Sequence, residues 1–70
     1  MAARFEIYNV NAGETLGIFM AENEAAALDV MARAYGFADY NAVLAGYGVS
    51  RAEGIAELEI TLVANGGLAR

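Results

Sequence analysis

Three segments of the chain alternate apolar and polar side chains, a pattern typical of strands with one buried face. They cover residues 4–10, 14–21 and 55–63 and are rich in β-branched and aromatic residues. The first two are joined by a short loop that ends in Gly13, and a loop with glycine last suits a hairpin closed by a bulge. The alternation therefore predicts a β-hairpin and, much later in the chain, a third strand.

Between the second and third strands, residues 24–35 have the apolar spacing of an amphipathic helix. Asn23 precedes this stretch as the N-cap, and Gly36 follows it as the stop signal. Asp29 and Arg33 are spaced as an ion pair on the solvent side. The predicted buried stripe consists of Leu28, Met31, Ala32 and Tyr35, widened by Ala27, Val30 and Ala34.

A second, shorter helix is predicted over residues 40–45, with Asp39 as its N-cap. Glycines follow it and end it. Residues 49–54 then form a connector, in which the spacing of Ser50 and Glu53 predicts a single capped turn. The predicted order of elements is therefore β-β-α-α-β.

This order predicts an α+β fold: a three-stranded antiparallel sheet, order 2-1-3, with one long and one short helix packed on one face. The hairpin makes strands 1 and 2 neighbours, and the return across the helices places strand 3 beside strand 1. Residues 1–64 form a single small domain, and residues 65–70 are expected to fray. The predicted exposed face carries Glu6, Tyr8, Phe19, Glu57, Glu59 and Thr61.

The composition excludes much of the chemistry that side chains supply. The 70 residues include no cysteine, histidine or lysine. Thiolate nucleophiles, zinc and haem sites, Ser–His catalysis and Schiff-base chemistry each depend on one of these side chains. We therefore expect no enzymatic activity, no catalytic residue, no bound metal and no cofactor.

The net charge of −5, with four scattered arginines, argues against two classes of partner. Nucleic acid requires a dense basic surface, and an anionic membrane attracts clustered cations. The chain also has no apolar run long enough to cross a bilayer. Residues 1–5 are short and weakly basic, so we do not expect them to act as a signal peptide. We expect a cytoplasmic protein that binds neither nucleic acid nor membrane.

Two polar constellations have the spacing of known sites. Asn9, Asn11 and Gly13 are spaced as in a calcium loop, but amides replace the necessary carboxylates, so an ordinary hairpin turn explains them better. Glu57 and Glu59 lie roughly 7 Å apart on one strand face, a spacing compatible with glycoside hydrolysis. Such a site needs a deep cleft, and a solvated face that protects a sheet edge is the better interpretation.

Tyrosine is frequent in this small chain, and tyrosine is enriched at protein interfaces. We expect Tyr35 in the core. A chain of this size buries only about 60% of its unfolded surface, so its own core is marginal. The predicted function is thus a small protein-interaction module that binds a second copy of itself, as a homodimer, or another protein. The predicted interface comprises Tyr8, Phe19, Tyr40, Tyr47, Glu57 and Glu59.

The acidic residues support an alternative from another functional class. Glu6, Glu57 and Glu59 would form a negative face able to cover a basic partner. An antitoxin or an inhibitor would act in this way.

Residues 5–40 contain a hairpin, a helix and a corner with the sequences Gly13-Glu-Thr-Leu-Gly17, Glu24-Ala-Ala-Ala-Leu-Asp29 and Gly36-Phe-Ala-Asp-Tyr40. In these motifs the chain resembles a loose group of small bacterial and phage-borne proteins with no assigned activity. It departs from the group at Ala12, where threonine is usual, and at Asn23, where serine or threonine is usual. The resemblance implies a fold and no catalytic residue. The β-β-α-β part is also similar in architecture to the antitoxin half of HicA/HicB-type pairs.

Overall fold

A computed structural model describes residues 2–65. The strands are β1 (Ala3–Asn9), β2 (Glu14–Ala21) and β3 (Leu58–Asn65), and the helices are α1 (Glu24–Ala34), α2 (Tyr40–Tyr47) and α3 (Arg51–Ala56). Neighbouring strands are antiparallel, in the order β2-β1-β3. The predicted α+β fold and strand order are confirmed. Asn65, which we expected in a frayed tail, is the last residue of β3, and the rest of that tail lies outside the described residues.

Helix α3 occupies the segment in which we predicted a connector and the start of the last strand. The Glu53 carboxylate accepts a hydrogen bond from the Ser50 N–H (2.9 Å), and the Ser50 hydroxyl accepts one from the Glu53 N–H (3.2 Å). These bonds satisfy backbone groups at the helix start, so the predicted single turn continues into a short helix. The predicted start of the strand is therefore wrong. β3 begins at Leu58, and Glu57 is the C-cap of α3 rather than a strand residue.

The pH dependence of the free energy of unfolding should report this capping box. Hydrogen bonds from Ser50 hold the pKa of the Glu53 carboxyl below its ordinary value. A carboxyl with a lowered folded-state pKa stabilises the fold above its unfolded pKa, and this contribution is lost as pH falls through the folded pKa. Glu53→Gln keeps the acceptor but removes the titration.

Urea unfolding followed by circular dichroism, from neutral pH to about pH 3, measures this contribution. We expect a smaller loss of stability for Glu53→Gln than for the wild-type chain. Equal losses would contradict the role of the Glu53 carboxylate in the box.

Helix α1 confirms the predicted cap and most of the predicted stripe. The Asn23 side chain accepts a hydrogen bond from the Ala26 N–H (2.8 Å). Two residues of the stripe are exceptions. Ala34 is exposed at the end of the helix. Tyr35 is exposed at the C-cap, and its hydroxyl donates to the Leu16 carbonyl of β2 (2.7 Å). The prediction of Tyr35 as a core residue is therefore wrong. The buried residues of α1 are Ala27, Leu28, Met31 and Ala32.

Helix α2 is joined to α1 through Asp29. The Asp29 carboxylate accepts a hydrogen bond from the Tyr40 N–H (3.0 Å), a role that differs from the predicted solvent-side pairing with an arginine. Asp39 accepts a backbone N–H bond within the first turn (2.9 Å), which confirms it as the N-cap. The helix runs further than predicted, to Tyr47, and ends where Gly48 adopts a left-handed conformation (φ 70°).

A bulge in β2 decides which side chains of the hairpin face the helices. Tyr8 pairs with Thr15, but the preceding residue of β1, Ile7, pairs with Gly17. Leu16 is therefore an extra residue in β2. Because side chains alternate along a strand, every later residue of β2 changes face relative to an uninterrupted register.

Phe19 consequently lies on the helix-covered face, opposite Phe5, and not on the open face where we predicted it. Its ring lies over Gly17, where a Cβ atom would be only 2.7 Å from the Phe19 Cζ atom. Gly17 also has φ of 143°, which favours glycine. The open face receives Ile18 and Met20 instead.

The hydrophobic core lies between the covered face of the sheet and α1, and α2 closes one end of it. Ile7, on the central strand, has no exposed surface. Leu28 of α1 is also fully buried, and Leu44 extends the core into α2. The core is therefore centred on β1 and α1.

Candidate interaction surface

The structure distributes the predicted interface residues over several surfaces. Tyr8 and Glu59 are paired neighbours on the open face of the sheet, as expected. Tyr47 is 74% exposed, but it lies on α2. Phe19 packs under the helices and Glu57 caps α3, so neither belongs to the open face.

Tyr40 is only 3% exposed, so its prediction as an interface residue is wrong. The Arg51 guanidinium of α3 lies 5.4 Å from the centroid of the Tyr40 ring and donates a hydrogen bond to Asn41 (3.0 Å). Burial raises the pKa of the Tyr40 hydroxyl; nearby Arg51 opposes this shift, and Glu57 adds to it. Tyr40 therefore joins α2 to α3 rather than offering a surface to a partner.

The open face of the sheet mixes apolar and acidic side chains. Ile18 is 55% exposed, and Met20 beside it is similarly exposed. The Glu6 carboxylate accepts a hydrogen bond from the Thr15 hydroxyl (2.8 Å), and Glu59 lies on β3. The predicted Glu-rich face is thus less acidic than expected, because Glu57 is absent from it and apolar residues are present.

A groove of about 780 Å³ opens where α2 and α3 approach the turn end of the sheet. Its walls include exposed Tyr47 and Val49, and Glu57 contributes a carboxylate. Glu59 faces the opposite side of the sheet. The two glutamates therefore cannot act as the paired acid and base that glycoside hydrolysis requires.

The outer edge of β3 presents free backbone hydrogen-bonding groups. The Val10 N–H donates to the Glu57 carbonyl (3.0 Å), which marks these two residues as a hydrogen-bonded pair between β1 and the chain entering β3. Such pairs alternate with non-hydrogen-bonded pairs in an antiparallel ladder, so Glu59 and Thr61 also bond to β1. No strand covers the other edge of β3 within residues 2–65. The residues whose N–H and C=O groups point outward there are Leu58, Ile60 and Leu62.

The other sheet edge, β2, is less suited to pairing. Its bulge at Leu16 interrupts the regular spacing of backbone groups, and bulges are a common way to protect an edge. In addition, the Tyr35 hydroxyl already occupies the Leu16 carbonyl. β3 keeps one register with β1 from Leu58 to Leu62 and is therefore the better template for a further strand.

Exposed apolar side chains flank the β3 edge. Leu62 is on the covered face of the sheet but is 55% exposed, because α1 packs mainly against β2 and leaves this end of β3 bare. Val63 is also exposed. The pairing pattern shows which backbone groups beside these side chains are free.

Compared with known protein families, curated proteins and solved structures, the chain matches none. The resemblance of its hairpin, helix and corner motifs to small bacterial and phage-borne proteins stays a prediction. Within residues 2–65, no three His, Cys, Asp or Glu side chains are grouped as metal ligands, and no helix has the length and apolar composition needed to cross a bilayer.

Proposed function

We propose that this chain is a non-enzymatic protein-interaction module that acts as a homodimer formed through the outer edge of β3. No strand within residues 2–65 pairs with this edge, and its outward backbone groups carry the proposal, since an unpaired, regular strand is a template for strand addition. We place its action in the cytoplasm, because a chain without cysteine has no disulfide to stabilise it in an oxidising compartment.

The exposed apolar residues beside this edge support the same surface. Leu62 and Val63 are exposed neighbours in β3, so a strand added to the edge would cover part of each. A small domain gains from such burial because its own core is limited. No proline or lysine, which commonly protect edges, occurs in β3.

Sedimentation equilibrium over a hundredfold range of concentration tests the proposed dimer. We expect the wild-type chain to sediment with the mass of two 7.3 kDa chains at the upper end of that range. Leu62→Lys should shift the mass to that of one chain, because a charge on the edge opposes strand addition. Ile18→Lys is the matched control, since Ile18 and Leu62 are equally exposed (55%) and the charge change is the same.

A wild-type chain that stays monomeric throughout would contradict the dimer. Dissociation by Ile18→Lys but not by Leu62→Lys would instead assign the contact to the open face.

A second candidate function is the acidic inhibitor or antitoxin. Glu6 and Glu59 occupy adjacent strands on the open face, and the chain carries a net charge of −5. A synthetic arginine-rich peptide should then bind, and raising the salt from about 50 to 300 mM should weaken binding strongly. Binding that is insensitive to salt, or unchanged in Glu6→Gln/Glu59→Gln, would exclude this function.

A further inference from the structure

We infer that the two copies pair their β3 strands antiparallel in one register, with the two-fold axis at Ile60. The inference rests on the proposed dimer and specifies its geometry. A two-fold axis pairs each residue with the residue at the same distance on its other side. The position of the axis therefore decides which side chains meet.

Backbone hydrogen bonding restricts this position. A hydrogen-bonded pair needs outward N–H and C=O groups on both strands, and in β3 these belong to alternate residues. An axis between two residues would set an outward-facing residue against an inward-facing one. The axis must therefore pass through a residue, and the regular part of β3 offers Glu59, Ile60 and Thr61.

The side chains distinguish these three positions. An axis at Glu59 places two carboxylates opposite each other, which is destabilising. An axis at Thr61 sets Leu58 opposite Ala64, beyond the point where the pairing with β1 shifts at the extra residue Val63.

An axis at Ile60 avoids both problems. It places Leu58 opposite Leu62 of the second copy, and Glu59 opposite Thr61 of the second copy. It also uses every outward-facing residue of the regular segment. This register therefore makes the most hydrogen bonds without opposing like charges.

The register also explains why the strand added to the outer edge of β3 comes from a second copy of this chain. An axis perpendicular to the sheet keeps the helices of both copies on one face. Leu62, which its own helices leave exposed, then meets Leu58 of the second copy, and Leu58 packs against the core. Each copy thus covers the Leu62 side chain that the helices of the other copy leave exposed.

Disulfide trapping between two single-cysteine variants tests the register, because the chain contains no cysteine. Glu59 and Thr61 of opposite copies would form a non-hydrogen-bonded pair with Cα atoms about 4.5 Å apart, within the range for a disulfide. We expect an equimolar mixture of Glu59→Cys and Thr61→Cys to give the mixed disulfide as its main product under mild oxidation. Each variant alone should give little product, since residues diagonal to each other lie about 7–8 Å apart.

Mass spectrometry of the unreduced products separates the outcomes. Efficient cross-linking of Thr61→Cys alone, or of Glu59→Cys alone, would overturn the Ile60 axis and leave the dimer intact. If the wild-type chain sediments with the mass of two chains but neither the mixture nor either variant alone forms a disulfide, β3 is not the interface. Sedimentation of the wild-type chain with the mass of one chain would overturn the dimer itself.

Discussion

Replacing Ile7 with alanine is expected to lower the free energy of unfolding by about 2–5 kcal/mol. Ile7 has no exposed surface and lies on the central strand, between β2 and β3. Its removal would leave a cavity against α1 that the surrounding strands cannot close by moving. A domain of this size has a small reserve of stability, so Ile7→Ala should be substantially unfolded at 37 °C.

Ile18→Ala makes the same chemical change in the same sheet, but on the open face, where the side chain is 55% exposed. Ile18→Ala should lower the free energy of unfolding by well under half as much as Ile7→Ala does. Urea unfolding at one fixed protein concentration compares the two variants with the wild type. Equal losses would contradict the assignment of faces that the β2 bulge produces.

Replacing Gly54 with alanine is expected to destabilise the chain, although alanine is the better helix former. A Cβ atom at Gly54 would overlap the Leu44 Cδ2 atom and lie 2.7 Å from the Tyr40 hydroxyl. Both neighbours are buried residues of the hydrophobic core, so the overlap would disturb core packing. Overpacking of this kind costs about 1–3 kcal/mol, which outweighs a helix gain of about 0.5–1 kcal/mol.

Gly46→Ala is the control that separates these two effects. Gly46 is also helical, but a Cβ atom there would meet only Phe37, at an ordinary contact distance of 3.8 Å. Gly46→Ala should therefore be neutral or stabilising in the same urea experiment. If Gly54→Ala were as stable as Gly46→Ala, α3 would not pack against α2 as described.

Local signals in the sequence predicted most elements of the fold. Asn23 and Asp39 are N-caps, and each accepts a backbone hydrogen bond in the first turn of its helix. The spacing of Ser50 and Glu53 indicated a capped turn but not its continuation as α3. The alternation around Ile55 predicted the start of a strand where the structure has α3. A short alternating run fits either a strand or a short helix, so the pattern could not distinguish the two.

The candidate surface was predictable only in part. The order of the strands, which makes β3 an edge, followed from the order of elements along the chain. Which backbone groups of β3 point outward depends on the pairing of Val10 with Glu57, and apolar patterning does not encode that pairing. The burial of Tyr40 likewise depends on α3, since Arg51 and Gly54 pack against its ring and hydroxyl.

The sequence by itself determined the elements whose signals are local: the hairpin, the capped helices and the α+β order, because caps, glycines and periodicity act within a few residues. Only the tertiary structure decided which face each hairpin residue takes. One extra residue at Leu16 moves Phe19 into the core and Ile18 onto the open face. A glycine inside a strand often accompanies a bulge, but the ring of Phe19 lying over Gly17 is a contact that only the folded sheet makes.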